Sequence, residues 1–223
     1  MTQPVIEFSS VHKSYRRGGM EVPILRNFNL TIPPGRFLGI MGPSGSGKTT
    51  VLNLIAGLDR PNGGTIRAAG TTVSDCAERD LAPWRARHIG LVFQSYNLIP
   101  VLTAAENVEL PLLLTTLNQT QRREHVRAAL GLVDLLDRER HYPRQLSGGQ
   151  EQRVGIARAI VSDPTIVLAD EPTGNLDRES AHAVMALLAR LHRDMRKTIV
   201  MVTHDPRAAE YAEDILQFDK GAA

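Results

Sequence analysis

The feature that most restricts the fold is a glycine-spaced loop set between an apolar run and a helix-forming run. Phe37-Leu38-Gly39-Ile40-Met41 reads as a buried strand and leads directly into Gly42-Pro43-Ser44-Gly45-Ser46-Gly47-Lys48-Thr49-Thr50. Thr49 to Ala56 then has helical spacing, with Gly57 placed to close the helix. Strand, glycine loop and helix in that order predict a βα unit of a parallel sheet, and hence an α/β core. Gly42-x4-Gly47-Lys48-Thr49 also matches the P-loop pattern. Glycines let successive backbone N–H groups converge on phosphate oxygens with no Cβ in the way. Lys48 brings a point charge to β- and γ-phosphates, and the Thr49 hydroxyl suits Mg²⁺. The helix that follows adds its own N-terminal N–H groups. This loop alone does not choose between a kinase, a GTPase and an ATPase.

A second apolar run, Thr165 to Ala169, ends in Asp170-Glu171. Two carboxylates at the end of a buried strand are expensive unless a cation or hydrogen bonds meet them. Asp170 fits the Mg²⁺-supporting aspartate of a P-loop enzyme. Glu171 then stands where a base that orients or deprotonates the attacking water belongs. Ile89 to Phe93 and Thr198 to Thr203 are further candidate strands. Between Glu179 and Met195, Val184, Leu188, Leu191 and Met195 share one helical face. Residues 95–160 lack strand patterns and hold two helix-start signatures, Thr103-x-x-Glu106 and Ser147-x-x-Gln150, with breaks at Pro111 and Pro143. The expected organisation is one domain over residues 1–223. Its nucleotide-binding core covers about 1–94 and 161–223, and a helical subdomain covers about 95–160.

Leu146-Ser147-Gly148-Gly149-Gln150 runs on into Glu151-Gln152-Arg153-Val154-Gly155-Ile156-Ala157-Arg158-Ala159, upstream of the acidic pair. In this the chain resembles the ABC ATPase family, over nearly its whole length. The resemblance implies a P-loop fold of the ABC ATPase type, with a mixed sheet core and an inserted helical subdomain. It also implies an ATPase that uses ATP and Mg²⁺. Further positions match residue by residue. Gln94 resembles the Q-loop glutamine, which contacts Mg²⁺ and abuts the membrane subunit, and Asp177 the D-loop aspartate that bridges two protomers. His204 resembles the switch histidine at the γ-phosphate, and Tyr15 the aromatic residue that stacks on adenine. The family works as a homodimer closed head-to-tail around two ATPs. Each copy offers Ser147, Gly148, Gly149 and Gln150 to the nucleotide held by its partner.

Leu168-Ala169-Asp170-Glu171-Pro172-Thr173-Gly174-Asn175-Leu176-Asp177 is similar to the lipoprotein-releasing, macrolide-efflux and cell-division group, as is the stretch from Phe93 to Val108. That likeness implies export or extraction of a lipoprotein, lipid, peptide or drug through a separately encoded permease-type membrane subunit. The alternative is force transmitted across the membrane to an extracytoplasmic enzyme, with nothing transported. The expected place is the cytoplasmic face of the inner membrane. The chain ends soon after Gly221, so no C-terminal regulatory domain of the sugar-importer kind is expected.

Composition narrows the remaining classes. Twenty-six basic residues against 24 acidic ones give a net charge of +2, too even for a nucleic-acid surface. No run of about 18 apolar residues occurs, so no bilayer span is expected, and Met1 to Phe8 reads as a short strand rather than a signal segment. The single cysteine, Cys76, rules out an internal disulfide. Trp84 is expected in the core, and Arg122-Arg123 and Arg138 to Arg140 on solvated helical faces.

Overall fold

The computed structural model describes residues 3–218; Met1 and the stretch around Gly221 lie outside them. Two strands open the chain, β1 (Ile6–Arg17) and β2 (Met20–Ile32), followed by β3 (Phe37–Met41) and helix α1 (Lys48–Ile55). Next come β4 (Gly63–Ala68), β5 (Thr71–Thr72), α2 (Glu78–His88) and β6 (Ile89–Val92). The helical stretch holds α3 (Ala104–Glu109), α4 (Gln119–Leu132) and α5 (Gly148–Ile160). The chain then returns through β7 (Ile166–Asp170), α6 (Arg178–Met195), β8 (Thr198–Thr203), α7 (Pro206–Ala209) and β9 (Asp214–Gln217).

The strands form two sheets. One is parallel, in the order β6-β7-β8-β3-β9; the other is antiparallel, in the order β2-β1-β4-β5. Successive residues of the parallel strands enter two different cores. Val167, Ala169, Ile199 and Met201 pack with residues of α3 to α6, whereas Ile166, Leu168, Val200 and Val202 pack with α1, α2 and the antiparallel sheet. A sheet covered on both faces needs apolar residues at every position. That is why Phe37–Met41 and Thr198–Thr203 are continuous apolar runs in the sequence.

Strand β1 corrects the reading of Met1 to Phe8 as a short strand: pairing begins at Ile6 and continues to Arg17. Its register shifts between Phe8 and Val11, where Ser10 takes φ 48°, so the apolar alternation changes phase midway. Gly18 and Gly19, both at positive φ, make the tight turn into β2.

Reciprocal side-chain caps start the three helices of the middle stretch: Thr103 with Glu106, Asn118 with Gln121, and Ser147 with Gln150. Pro111 sits in a 3₁₀ turn, Leu110–Leu114, and Pro143 in another, Pro143–Gln145. Trp84 is buried on α2. On α6, Val184, Leu188 and Leu191 are buried but Met195, at the helix end, is 38 % exposed. Arg122 departs from the expected solvated face: its Nε reaches Glu109 Oε1 at 2.7 Å and its guanidinium donates to Leu117 O. Arg138 and Glu139 belong to a turn rather than a helix face.

The parallel register brings the strand ends together. Met41 pairs with Thr203, Asp170 with Val202, and Val92 with Ala169. The carboxyl ends of β6, β7, β8 and β3 therefore lie level and adjacent, the usual ligand-bearing edge of such sheets.

Candidate nucleotide site

A cavity of about 680 Å³ opens at that edge, lined by Pro43, Ser44, Gly45, Gly47, Lys48, Thr49 and Thr50, together with Gln94, Asp170, Glu171, His204 and Ile24. Four strand ends thus deliver their side chains to one place. Ile24, from β2, is a wall residue that the sequence did not signal.

The loop is shaped by what its glycines lack. A Cβ on Gly42 would lie 2.1 Å from Phe218 O, and one on Gly47 2.4 Å from the Ile24 side chain. Gly47 also holds φ 104°, which side-chain-bearing residues rarely adopt. Gly47 carries no side chain to cap α1, so the first N–H groups of that helix are left for a ligand. Ser46 Oγ is buried with no hydrogen-bond partner. Lys48 is buried too, and its Nζ donates to Gly42 O at 2.7 Å and Pro43 O at 3.0 Å. Free N–H groups and a held ammonium together fit a polyphosphate.

Opposite the loop, Thr49 Oγ1 donates to Asp170 Oδ1 at 3.2 Å. Burial pushes the Asp170 carboxyl above the usual carboxylate range, with neighbouring Glu171 adding to it and Thr49 and Lys48 opposing it. Thr49, Gln94 and Asp170 offer a hydroxyl, an amide and a carboxylate, so the available protein ligands are hard oxygens. Among the described residues no cluster of three or more His, Cys, Asp or Glu side chains is poised for a metal. Such a set suits Mg²⁺, which takes few protein ligands and the rest from phosphate and water.

Glu171 has φ 47°, and its N–H donates to Val202 O at 2.9 Å. His204 Nδ1 lies 2.7 Å from Glu171 Oε1, and the His204 N–H donates to Oε2 at 3.3 Å. The carboxylate is mostly covered and the imidazole mostly open. Gln94 lies against Asn175, with Nε2 3.4 Å from Asn175 Oδ1, and Asn175 Nδ2 donates back to Gln94 O at 3.1 Å. In the sequence Asn175 stands within the stretch Leu168 to Asp177 that carries the group likeness, with no role of its own at the site.

Tyr15 is outside the cavity lining but beside α1. Its hydroxyl donates to Asp59 Oδ2 at 2.6 Å and lies 3.4 Å from Thr50 Oγ1, while Lys13 Nζ stands 4.7 Å from the ring centre. The residue is 40 % exposed. Asp59 carried no signal in the sequence.

Ser147, Gly148, Gly149, Gln150 and Asp177 do not line the cavity. They form a second cluster of their own. Ser147 caps α5, which begins at Gly148, as the Ser147-x-x-Gln150 spacing predicts. Asp177 caps α6 by accepting from the N–H groups of Glu179 and Ser180, and these bonds hold its carboxyl below the usual range. Gly148 and Gly149 come close to Tyr96 Oη and Ser180 Oγ, where a Cβ would stand 2.9 and 2.8 Å away.

Known proteins are similar to this chain in sequence and in fold. Residues 25–174 match the family described as ABC transporter. YvrO of Bacillus subtilis, an uncharacterized ABC transporter ATP-binding protein, is 47 % identical over 209 residues, covering 94 % of this chain and 91 % of YvrO. The macrolide export ATP-binding/permease protein MacB of Sodalis glossinidius is 43 % identical, matching 99 % of this chain with 34 % of its own length. The dimeric structure of MJ0796, an ABC transporter cassette from Methanocaldococcus jannaschii, superposes with TM-score 0.88 at 43 % identity, covering 97 % of this chain and 95 % of that one. A dimeric post-hydrolysis state of the same cassette, bound to ADP and Pi, also gives 0.88.

Proposed function

The chain belongs to the ABC transporter ATP-binding family and is an ATPase, and from that premise we propose that two copies of it power a separate membrane subunit that exports or extracts a substrate. The observation that carries this reading is the division of the expected machinery into two clusters. The P-loop, Asp170, Glu171 and His204 share one cavity, while Ser147 to Gln150 and Asp177 stand apart from it on the same chain. A second copy facing the first supplies the missing half of each site.

In this reading Lys48, the N–H groups of the loop and the start of α1 grip the β- and γ-phosphates. Tyr15, a partly exposed aromatic beside α1, offers its ring to adenine. Thr49, Asp170 and the Gln94 amide oxygen would hold Mg²⁺, which would supply charge neutralisation at the phosphates. Glu171 accepts the proton of the attacking water, and His204 holds that carboxylate in place while its open edge faces the γ-phosphate. From the partner, Ser147 and the unsatisfied N–H groups at the start of α5 meet the same phosphate. Hydrolysis removes the group that both copies grip, and the pair loosens. Residues 95–160 relay that motion outward from Gln94.

Support for a dimer comes from MJ0796. Support for export comes from MacB, whose name joins an ATP-binding part to a permease part. No described helix is long and apolar enough to cross a membrane, so the membrane contact in this reading is made by the partner chain.

The test is to purify the complex from its native membrane and reconstitute it. ATP-dependent release of a lipoprotein, lipid, peptide or drug from proteoliposomes supports the reading. A complex that hydrolyses ATP and activates an extracytoplasmic enzyme while moving nothing replaces it with force transmission.

A further inference from the structure

The loops carrying Gln94 and Asp177 run side by side, and the contacts between them fix the orientation of an amide. Where the loops leave the sheet, fully buried Gln152 donates through Nε2 to Phe93 O at 3.2 Å and to Pro172 O at 2.6 Å. Farther out, Tyr96 Oη donates to Asn175 O at 3.3 Å. Between these clamps Asn175 Nδ2 donates to Gln94 O at 3.1 Å. A backbone carbonyl only accepts, so the Asn175 amide has one permitted face: nitrogen to the backbone, oxygen to the Gln94 side chain. That oxygen also only accepts, and Gln94 Nε2 stands 3.4 Å from it. Gln94 therefore turns its nitrogen to Asn175 and its Oε1 away from it, on a residue that lines the cavity. A hard cation takes an amide oxygen and not an amide nitrogen.

Gly174 is part of the same device. A Cβ there would lie 2.7 Å from Gln94 Nε2 and 3.2 Å from Gln94 Cγ, so the glutamine side chain crosses a bare α-carbon. Gly174 is not among the positive-φ glycines. Alanine thus suits the backbone at 174, and its effect falls on the movable glutamine tip.

We infer that Asn175, with Gly174 beneath the same side chain, is a positioning residue that turns Gln94 Oε1 toward the cation of the nucleotide site. The inference rests on the reading of Gln94 as a cation ligand. The 3.4 Å contact is long and exposed, so its consequence is the choice of amide face and not stability.

The experiment measures Mn²⁺ affinity of the ATP-loaded Glu171→Gln protein from the loss of the free Mn²⁺ electron paramagnetic resonance signal. Asn175→Ala should weaken Mn²⁺ about tenfold, the scale on which outer-shell partners tune metal sites. Affinity for ATP without metal, and the melting temperature, should not change. Gly174→Ala should act in the same direction. The deciding variant is Gln94→Glu, whose carboxylate presents oxygen on either face and leaves nothing to orient. Adding Asn175→Ala to it should change Mn²⁺ affinity by less than about twofold, the sign of a pairwise coupling. An equal loss in both backgrounds, or a loss accompanied by a fall in melting temperature, overturns the positioning role. If Gln94→Ala leaves Mn²⁺ affinity untouched, the ligand reading of Gln94 fails and takes the inference with it. If Gln94→Ala weakens Mn²⁺ and Asn175→Ala does not, the positioning role alone fails.

Discussion

Glu171 and His204 come from the ends of neighbouring parallel strands and hold each other at two points, through Nδ1 to Oε1 at 2.7 Å and through the His204 N–H to Oε2 at 3.3 Å. The glutamate reaches this position in the left-handed backbone region, at φ 47°. A non-glycine residue held there costs about 1–3 kcal/mol. The bond from its N–H to Val202 O keeps the kink in register with β8.

Replacing Glu171 by glycine should therefore separate stability from activity. Glycine removes the backbone strain but adds about 0.5–1 kcal/mol of unfolded-chain entropy. Measured against Glu171→Ala, which loses the same bonds to His204 but keeps the strained backbone, the net gain is about 1 kcal/mol, or roughly 2–4 °C in melting temperature for a domain of this size. Turnover should fall by about 10²–10⁴-fold as the base is lost. Calorimetry and phosphate release on the same preparations check both; a melting temperature for the glycine variant no higher than that of Glu171→Ala would show that the backbone at 171 is unstrained.

Glu171→Gln keeps the shape and removes the base. ATP binding should persist and hydrolysis should fall by about 10²–10⁴-fold. The bound γ-phosphate then holds two copies together, which sedimentation in the presence of ATP reads directly. A rate equal to wild type, measured with the membrane partner present, removes Glu171 from the chemistry.

Asp170 gives a pH signature. Its folded-state pKa lies above the ordinary carboxylate value because of burial. A raised acid favours its protonated form in the folded state, so stability falls as pH rises through the interval between the unfolded and folded values, and the penalty is complete above it. Asp170→Asn should melt higher than wild type at about pH 7.5, with the difference shrinking as the pH is lowered toward the ordinary Asp range. Adding Mg-ATP should reverse the order, since only the wild type gains a cation partner there. Thermal scans across pH, with and without nucleotide, test both halves.

How much of this was legible in the sequence depends on burial. Strands β3, β7 and β8 are covered on both faces, so they appear as unbroken apolar runs, and the residues at their carboxyl ends can be read off directly. Thr103 and Ser147 announce their helices by a local three-residue spacing. The antiparallel sheet was hidden because the shift at Ser10 and the positive φ of Asn27 break the alternation that marks a half-buried strand. Asn118 caps α4 through an asparagine–glutamine pair, which lies outside the Ser/Thr form of the capping box. Ile24 and Asp59 reach their places through tertiary contacts, which no local spacing encodes.

Tyr15 tests the adenine end. Tyr15→Ala should weaken ATP by about tenfold, within the usual range for an aromatic base stack. Tyr15→Phe loses the bond to Asp59 but keeps the ring, and should stay close to wild type. Titration with a fluorescent ATP analogue distinguishes them. If Phe fails as badly as Ala, the hydroxyl tether matters and the ring face does not.

Ser147 and Asn118 make a matched pair, because each caps its helix with the same reciprocal bonds. Alanine at either position should cost about 1 kcal/mol of stability. The proposed function separates them: Asn118→Ala should keep its ATPase rate, whereas Ser147→Ala should lose rate beyond what the stability change explains. Ser147→Arg sharpens the contrast, since a cation and added bulk at the start of α5 oppose closure against a partner while leaving the P-loop of the same chain intact. Nucleotide binding to the single copy should survive. In preparations mixed with wild type, each Ser147→Arg chain spoils the site on its neighbour, and coupling between the two sites makes activity fall faster than the fraction of mutant chains. A strictly proportional fall across the mixing series would mean that each chain completes its own site, and would leave the separated position of Ser147 without a functional explanation.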